Sequence, residues 1–528
     1  MIPNFPILNR GVYHSGFTNS FYDPQTLITK VVVPKFDFLS KDDLILKTFE
    51  YNATLVHERV HWFQHHATSF GCFLGALRLS QQSTTLRALR AENSDRIKIL
   101  LERRNKGDKS ILNLNSETHY PDFTSDSKLI NLFRQIWFDH QWVHNIFDNS
   151  QCAEKKPGSV PGKVVGEIIS DVVIALKEYN SPLHLNNMNI GSSLEVRQWF
   201  SIPDSEMIFV SMFRMRLTSK LLMESPALIS ELQILSAQMN YMHKSDKKKA
   251  LTARIEKIVN EDYGIPIRCL LKVLGIDLNL DNLKIILPTV NVICFIALNP
   301  PLPPYVINPP ENSSSWSWQD IYPPIRFARL SHCVHKIGLL KDRSTHKEIS
   351  EYIAKICDIC DMPHTINNHY PDLKNRESLD FSNSNNIAND FFKSRDYREF
   401  SHNDYIFWVQ SRIAEYKAKS LPLLVNLGDC ISGDLSREYY SDMVIFDDIP
   451  FSICPLRWTN SGQVGFSCAP DFGNWLLQSV LLDYVLFDVV AGEGKYDLNA
   501  FPEEVRESDE LHDLLMNSIS NSLSQNNA

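Results

Sequence analysis

Two histidines and a glutamate stand close together in the segment 55–63, which reads LVHERVHWF. Residues four apart on an α-helix lie on one face, one turn above the other. His57 and His61 can therefore direct two imidazoles at one point, with the Glu58 carboxylate on the flank of that face. Two neutral imidazoles bind a divalent metal, and a neighbouring carboxylate can take a proton from a metal-activated water. The HExxH spacing thus predicts a catalytic zinc site on a helix.

The residues around this segment follow the period of an amphipathic helix. One face is apolar and is formed by Phe49, Ala53, Val56, Val60, Phe63 and Ala67. A different face is polar and is formed by Thr54, His57, His61, Gln64 and His65. Such a helix buries one side and presents the other, which groups both histidines on the presented side. The alternative interpretation is a histidine pair that is solvated or caps the core without a metal.

The segment resembles the active-site helix of the zincin metallopeptidases, and the resemblance covers this one helix and a candidate third ligand. It implies that His57 and His61 bind zinc and that Glu58 is the general base for hydrolysis of a peptide bond. The oxyanion formed in that reaction needs a further hydrogen-bond donor. Tyr241 and Arg216 are candidates, and the sequence does not select between them.

A catalytic zinc ion usually takes three protein ligands and one water, so a third ligand is required. His65 is eight residues from His57, about 12 Å along a continuous helix, which is too far for both to share an ion with His61. The metzincin pattern needs a glycine and then a third histidine, but the chain has Gln64 and Ala67 at those positions. The remaining option is a glutamate from another helix, as in the gluzincins.

A downstream segment offers such a glutamate on a leucine-rich helix face. The residues that share this face are Leu217, Leu221, Glu224, Leu228, Glu231 and Leu235. A carboxylate on an apolar face is costly unless a cation or a metal pairs with it. We therefore predict that Glu224 is the third ligand and that Glu231 accepts a hydrogen bond from a ligating imidazole. Pairing of both glutamates with Arg214 or Arg216 is the alternative.

Other residues with metal-binding chemistry form weaker candidates. Glu92 competes as the third ligand, but its polar and charged neighbours favour an exposed position. His140 and His144 have metal-like spacing, but no glutamate follows His140 and the surrounding tryptophans favour an aromatic patch. Cys357 and Cys360 are spaced as in zinc or redox sites, but no clear second pair of ligands exists, which favours two buried thiols.

Helical periodicity dominates the chain, and we predict a mainly α (α+β) fold with a zincin-like core. A small β element is expected near the N-terminus at Val31–Val33, which either binds extended peptide at a sheet edge or is purely structural. At 528 residues the chain is too long for one ordinary core. Dense prolines predict a linker at 299–325. It would join a catalytic domain at 1–298 to a helical and β region at 326–528. This second region is either separate or packed on the first domain.

Composition and charge restrict the partners and the compartment. A net charge of −9 argues against a nucleic-acid partner, because phosphate contacts need a basic surface. The longest apolar run, Ile285–Leu298, is too short to span a bilayer. The first residues show no secretory signal, and the ten cysteines lack the spacing of a disulfide scaffold. We therefore expect free thiols, a cytoplasmic location and no membrane partner.

Together these inferences predict a zinc metallopeptidase that hydrolyses a restricted intracellular protein or peptide substrate. A regulatory partner is compatible with the large helical remainder. The alternative is a catalytically inactive, zincin-like module that keeps the metal for structure and binds a partner through 326–528. A zinc hydrolase for a non-peptide amide is a third interpretation, which substrate screening would separate from the first.

Overall fold

A computed structural model describes part of the chain in detail. The described residues are 21–23, 28–32, 41–91, 139–140, 143, 146–147, 159–178, 193–201, 207–209, 217–238, 244–277, 279–303, 309, 313–342, 344–363, 453–458 and 464–466. Glu92, His144, Arg214, Arg216 and Tyr241 lie outside them, so the roles predicted for these five residues stay predictions.

Helices make up most of the described chain, and the prediction of a mainly α fold is confirmed. The helices are α1 (Lys41–Ala67), α2 (Ser69–Ala91), α3 (Gly162–Glu178), α4 (Ser193–Trp199), α5 (Ser219–Gln238), α6 (Lys244–Asn260), α7 (Ile265–Leu274), α8 (Leu280–Ala297), α9 (Trp318–Ile321), α10 (Pro323–Ile337) and α11 (His346–Ile359). A 3₁₀ turn, Asp262–Gly264, joins α6 to α7. The histidine helix α1 packs against α5.

α1 is a long helix because no glycine or proline interrupts its sequence. The predicted apolar face is buried, with an exposed fraction of 4% or less for Ala53, Val56, Val60, Phe63 and Ala67. Phe49, nearer the start of the helix, is half-buried. The chain then turns back tightly into α2. Gly71 permits this turn, because a Cβ there would overlap the backbone of Gln64 and His65.

The leucine-rich face of α5 is also buried, as its sequence predicts. The leucines of this face are exposed by only 5–6%: Leu217, Leu221, Leu228 and Leu235. Pro226 lies inside α5, and the helix continues through it. Further along, Ile234 packs with Ala53 and Val56 of α1, and Leu251 of α6 packs against the same small cluster. α6 therefore docks where α1 and α5 meet.

The main hydrophobic core draws on α2, α3, α5, α7, α8, α10 and α11. Trp316, Ile321 and Phe327 are buried in this same core, although they lie within or after the proline-rich segment. α10 packs against α5, α7, α8 and α11. The predicted division of the chain at 299–325 stays a prediction.

Short strands accompany the helices. Their bounds are β1 (Phe21–Asp23), β2 (Ile28–Val32), β3 (Ser159–Pro161), β4 (Met207–Phe209), β5 (Ile453–Trp458) and β6 (Val464–Phe466). One sheet has the order β1-β2-β5-β6, in which β2 and β5 are parallel and the other neighbours are antiparallel. A second sheet consists of β3 and β4, which pair antiparallel. Strand β1 pairs with Ile28–Lys30 and β5 pairs with Thr29–Val32, so Val31 and Val32 have one paired side among the described residues. The peptide-binding interpretation of this strand stays a prediction.

The longest apolar run of the sequence falls in α8 and the residues that follow it. Residues 288–298 of this run are all buried, so the run serves the protein core. Within the described part of the chain, no helix has both the length and the apolar character that crossing a membrane requires.

Two cysteines are joined, contrary to the prediction of free thiols throughout. Cys333 of α10 and Cys360, which follows α11, form a disulfide across a sequence separation of 27. Free cysteines among the described residues include Cys72, Cys269, Cys294 and Cys357. Spacing alone missed the pair because its members come from different segments. Cys333 and Cys360 therefore give no support to a reducing compartment.

Candidate metal centre

Three side chains from two helices meet at one point. α1 supplies His57 and His61, and α5 supplies Glu224. The Oε2 atom of Glu224 lies 3.3 Å from Nε2 of His57 and 3.2 Å from Nε2 of His61. The two Nε2 atoms are 3.2 Å apart. Among the described residues, no other three histidine, cysteine or acidic side chains come together as a potential metal site.

The distances between these donor atoms are those expected around a small ion. The atoms form a nearly equilateral triangle with sides of 3.2–3.3 Å. A tetrahedral ion with bonds of about 2.0–2.1 Å separates its ligand atoms by about 3.3–3.4 Å. The triangle therefore matches one face of a coordination tetrahedron and leaves the fourth position for water or substrate. The three side chains are 11–15% exposed, so the group is mostly but not completely buried.

Gln64 fixes the orientation of the His61 ring. Its amide nitrogen donates a hydrogen bond of 2.9 Å to the carbonyl of Met223, which leaves Oε1 of Gln64 to accept. That oxygen lies 3.2 Å from Nδ1 of His61. Because Met223 directly precedes Glu224, this one amide side chain ties the second histidine to the helix that supplies the carboxylate.

Glu231 takes the corresponding place beside His57. One of its oxygens, Oε2, lies 3.5 Å from Nδ1 of His57, and the other pairs with the guanidinium of Arg254 from α6. The Nδ1 atom of His57 is buried and makes no hydrogen bond, so Glu231 acts on it through its nearby negative charge. The Glu231 side chain is only 7% exposed, so its charge depends on the cation that pairs with it.

These outer contacts determine which ring nitrogens carry protons. The Oε1 atom of Gln64 can only accept, so Nδ1 of His61 donates to it, and the negative charge of Glu231 at 3.5 Å favours a proton on Nδ1 of His57. A neutral imidazole with a protonated Nδ1 has a lone pair at Nε2. Two such lone pairs and a carboxylate oxygen then face one another, an arrangement that repels itself unless a cation or an added proton lies between them. The donor set therefore fits a metal ion by its own chemistry.

The histidines also act on the charge of Glu224. Burial works to raise the pKa of this carboxyl. When the facing Nε2 atoms carry protons in place of a metal cation, the charge of His61 and hydrogen bonds from His57 and His61 outweigh burial and hold the pKa below its ordinary value. A cation bound at the same place would act in the same direction. The Glu224 side chain is thus an ionised carboxylate, which is the form that binds metal.

Glu58 and Tyr263 lie beside the same group. Glu58 is buried in α1. Tyr263 stands in the 3₁₀ turn, where its carbonyl accepts a hydrogen bond of 2.5 Å from the hydroxyl of Ser225, the residue after Glu224. The negative charge of Glu224 is the main cause that raises the pKa of Tyr263, and burial and further carboxylates including Glu58 add to it. Tyr263 therefore presents a protonated phenol, and the residue is 37% exposed.

The remaining described candidates are not part of this group. His65 is half-buried on α1 and contributes no ligand to it. The buried His140 has its Nε2 atom 3.1 Å from the hydroxyl oxygen of Ser80. Cys357 is a free, buried thiol, whereas Cys360 belongs to the disulfide. The cysteine pair therefore forms no metal site, whereas the prediction for His140 and His144 falls partly outside the described residues.

Sequence reasoning missed three residues that the structure brings to the centre. Gln64 could have been found, because it lies one turn after His61 on the same helix face. Arg254 and Tyr263 come from α6 and the turn that follows it. No local pattern relates those positions to the HExxH helix, so only the tertiary structure reveals them.

Comparison of this chain with protein-family models, curated proteins and solved structures found no match.

Proposed function

We propose that this protein is a zinc-dependent metallopeptidase whose metal ligands are His57, His61 and Glu224. The observation that carries the proposal is the convergence of three metal-ligating atoms, two imidazole Nε2 atoms and one carboxylate oxygen, which lie 3.2–3.3 Å from one another. Zinc takes nitrogen and oxygen ligands in tetrahedral sites, and catalytic zinc sites keep one position open. Two histidines from one helix and a glutamate from a second also support the resemblance to the gluzincins.

The residues around the centre have separate roles in the proposed reaction. Zinc held there would polarise a carbonyl and make a water molecule acidic enough to attack it near neutral pH. With zinc held there, Glu58 would take a proton from the attacking water and pass it to the departing amine. Tyr263 donates a hydrogen bond to the oxygen on which negative charge develops, because its phenol stays protonated. Glu231 and Gln64 hold the two imidazoles in place.

A restricted protein or peptide substrate remains part of the proposal. The ligand side chains are 11–15% exposed, so a scissile bond must be brought to a largely buried ion. An extended segment of chain satisfies this requirement better than the surface of a folded domain. Broad degradation of unfolded casein by the purified protein would contradict a restricted substrate.

The variant Glu58→Gln separates an enzyme from an inactive zinc-binding module. The enzyme proposal expects Glu58→Gln to retain one zinc per chain and to lose cleavage by about a hundredfold or more, because only the general base is removed. His57→Ala is the control that should lose zinc as well. Zinc content is measured by atomic absorption, and cleavage by mass spectrometry of a peptide library.

Two results would contradict the proposal in different ways. Wild-type protein that binds zinc but cleaves no peptide favours the partner-binding module or a zinc hydrolase for other amides. Wild-type protein that binds no zinc after reconstitution removes the metal centre itself.

A further inference from the structure

Arg254 stands outside the ligand group but reaches it through one carboxylate. Its guanidinium pairs with Oε1 of Glu231, whose other oxygen lies 3.5 Å from Nδ1 of His57. The far side of the same ring places Nε2 3.3 Å from Glu224. These contacts form a continuous chain from α6 to the donor atoms.

The packing of α6 directs Arg254 at this chain. Leu251 packs against the small cluster between α1 and α5, which consists of Ala53, Val56, Ile234 and Leu235. Arg254 lies three residues after Leu251, and residues at this spacing share one helix face. The packing of Leu251 thus brings the guanidinium of Arg254 to Glu231. The Arg254 side chain is 33% exposed.

The carboxylate of Glu231 serves two partners at once. Without Arg254, the nearly buried carboxylate of Glu231 would lose the cation that pairs with it, which is strongly unfavourable. The Glu231 side chain would then change its rotamer to reach another hydrogen-bond donor. With Oε1 held by the rigid guanidinium, only Oε2 remains for His57. The arginine therefore fixes both the charge and the rotation of the group behind the His57 ring.

We propose that Arg254 is a positioning residue for the metal centre: through Glu231 it holds the His57 ring so that Nε2 faces the ion. This inference rests on the proposed function, because it assigns Arg254 a role in metal binding. His61 has a separate support in Gln64, so loss of Arg254 affects only one of the two histidines.

The test measures the Zn²⁺ affinity of full-length variants by competition with a chromophoric chelator. Arg254→Gln should weaken zinc binding about tenfold, within the range known for partners behind metal ligands, and Glu231→Gln should weaken it at least as much. The double variant should bind zinc no more weakly than Glu231→Gln alone, because Arg254 acts through Glu231. Arg254→Lys keeps the positive charge and should recover part of the affinity.

Arg268→Gln is the matched control. Arg268 donates hydrogen bonds to the carbonyls of Ile258 and Glu261, so its loss loosens the end of α6 through different bonds. It should lower the melting temperature and leave the zinc affinity unchanged. The visible absorption of Co²⁺ bound in place of zinc reports the ligand geometry. That spectrum should change in Arg254→Gln and not in Arg268→Gln.

Each other outcome overturns the proposal in a recognisable way. Wild-type zinc affinity and Co²⁺ absorption in Arg254→Gln, or equal affinity losses in Arg254→Gln and Arg268→Gln, would remove the role of Arg254 and leave the metal centre intact. Additive losses in the double variant would show that Arg254 does not act through Glu231. If the wild-type protein binds neither ion, the proposed function fails and the role of Arg254 fails with it.

Discussion

At the scale of single residues, the two histidines of the centre differ in what lies behind each ring. His57 faces the charged carboxylate of Glu231, whereas His61 faces the neutral amide of Gln64. A carboxylate makes a ligating imidazole more basic than an amide does. The centre therefore contains a stronger and a weaker nitrogen donor, and the strength of the first depends on a cation from another helix.

Tyr263→Phe should slow the proposed cleavage and leave the metal in place. Tyr263 is close enough for the charge of Glu224 to raise its pKa and is not one of the three ligands. Removal of its hydroxyl should take away a hydrogen bond that matters only as charge develops. The expected loss in kcat is about a hundredfold, as for other donors of this kind, with little change in KM or in zinc content. Steady-state kinetics on a cleaved peptide and zinc analysis of the same sample measure both quantities.

Tyr322→Phe provides the comparison for Tyr263→Phe. The Tyr322 hydroxyl donates to the carbonyl of Ile146 in the core, so its removal should reduce stability and not kcat. A Tyr263→Phe variant with wild-type kcat, or one that loses zinc, would contradict a role in the reaction.

At the scale of helices and strands, apolar periodicity predicted the buried faces of helices, whereas contacts between segments distant in sequence could not be predicted. The buried faces of α1 and α5 follow from regular apolar spacing, and the cost of a carboxylate on an apolar face drew attention to Glu224. Arg254 and Tyr263 depend on how α6 and its following turn dock, which no local pattern specifies. The pairing of Cys333 with Cys360 and the position of β2 between β1 and β5 likewise join segments that are distant in sequence. Their roles could not be derived from spacing.

His66 should make the packing of α1 sensitive to acid. Its ring is buried against Trp62, with centroids 5.0 Å apart, and burial lowers the pKa of His66 from 6.5 to about 3. The unfolded chain therefore binds this proton first as the pH falls. The stability contributed by neutral His66 is complete above about pH 6.5 and is lost as the pH falls toward 3, by up to about 1.4 kcal/mol per pH unit.

The variant His66→Gln tests this dependence. Urea unfolding of metal-free protein between pH 7 and pH 4.5 gives the slope of the free energy of unfolding against pH. The slope should be smaller in His66→Gln by about one proton. His335→Gln, at an exposed position in α10, should keep the wild-type slope. An unchanged slope in His66→Gln would show that His66 does not control the acid response.

At the scale of the whole molecule, one buried guanidinium unites several segments of the main core. Arg326 of α10 is fully buried and donates to the carbonyls of Asp320, Ile296 and Asn299. These carbonyls lie in α9, in the last turn of α8 and just after α8, so the guanidinium connects the end of one helix to the next. Burial lowers the pKa of Arg326 to about 10, so the group stays charged at neutral pH.

Arg326→Met should destabilise the main core by about 3 kcal/mol or more, because it removes buried, charge-assisted hydrogen bonds to three carbonyls. Arg329→Met, one turn later and 28% exposed, removes a more solvated ion pair and hydrogen bonds to the carbonyls of Cys360 and Asp361, and should cost about 1–2 kcal/mol. Urea denaturation measures both losses. Since the hydrogen bonds of Arg326 reach no ligand of the centre, folded Arg326→Met should bind zinc as tightly as the wild type. Equal losses in the two variants, or weaker zinc binding in folded Arg326→Met, would contradict this separation of core stability from metal binding.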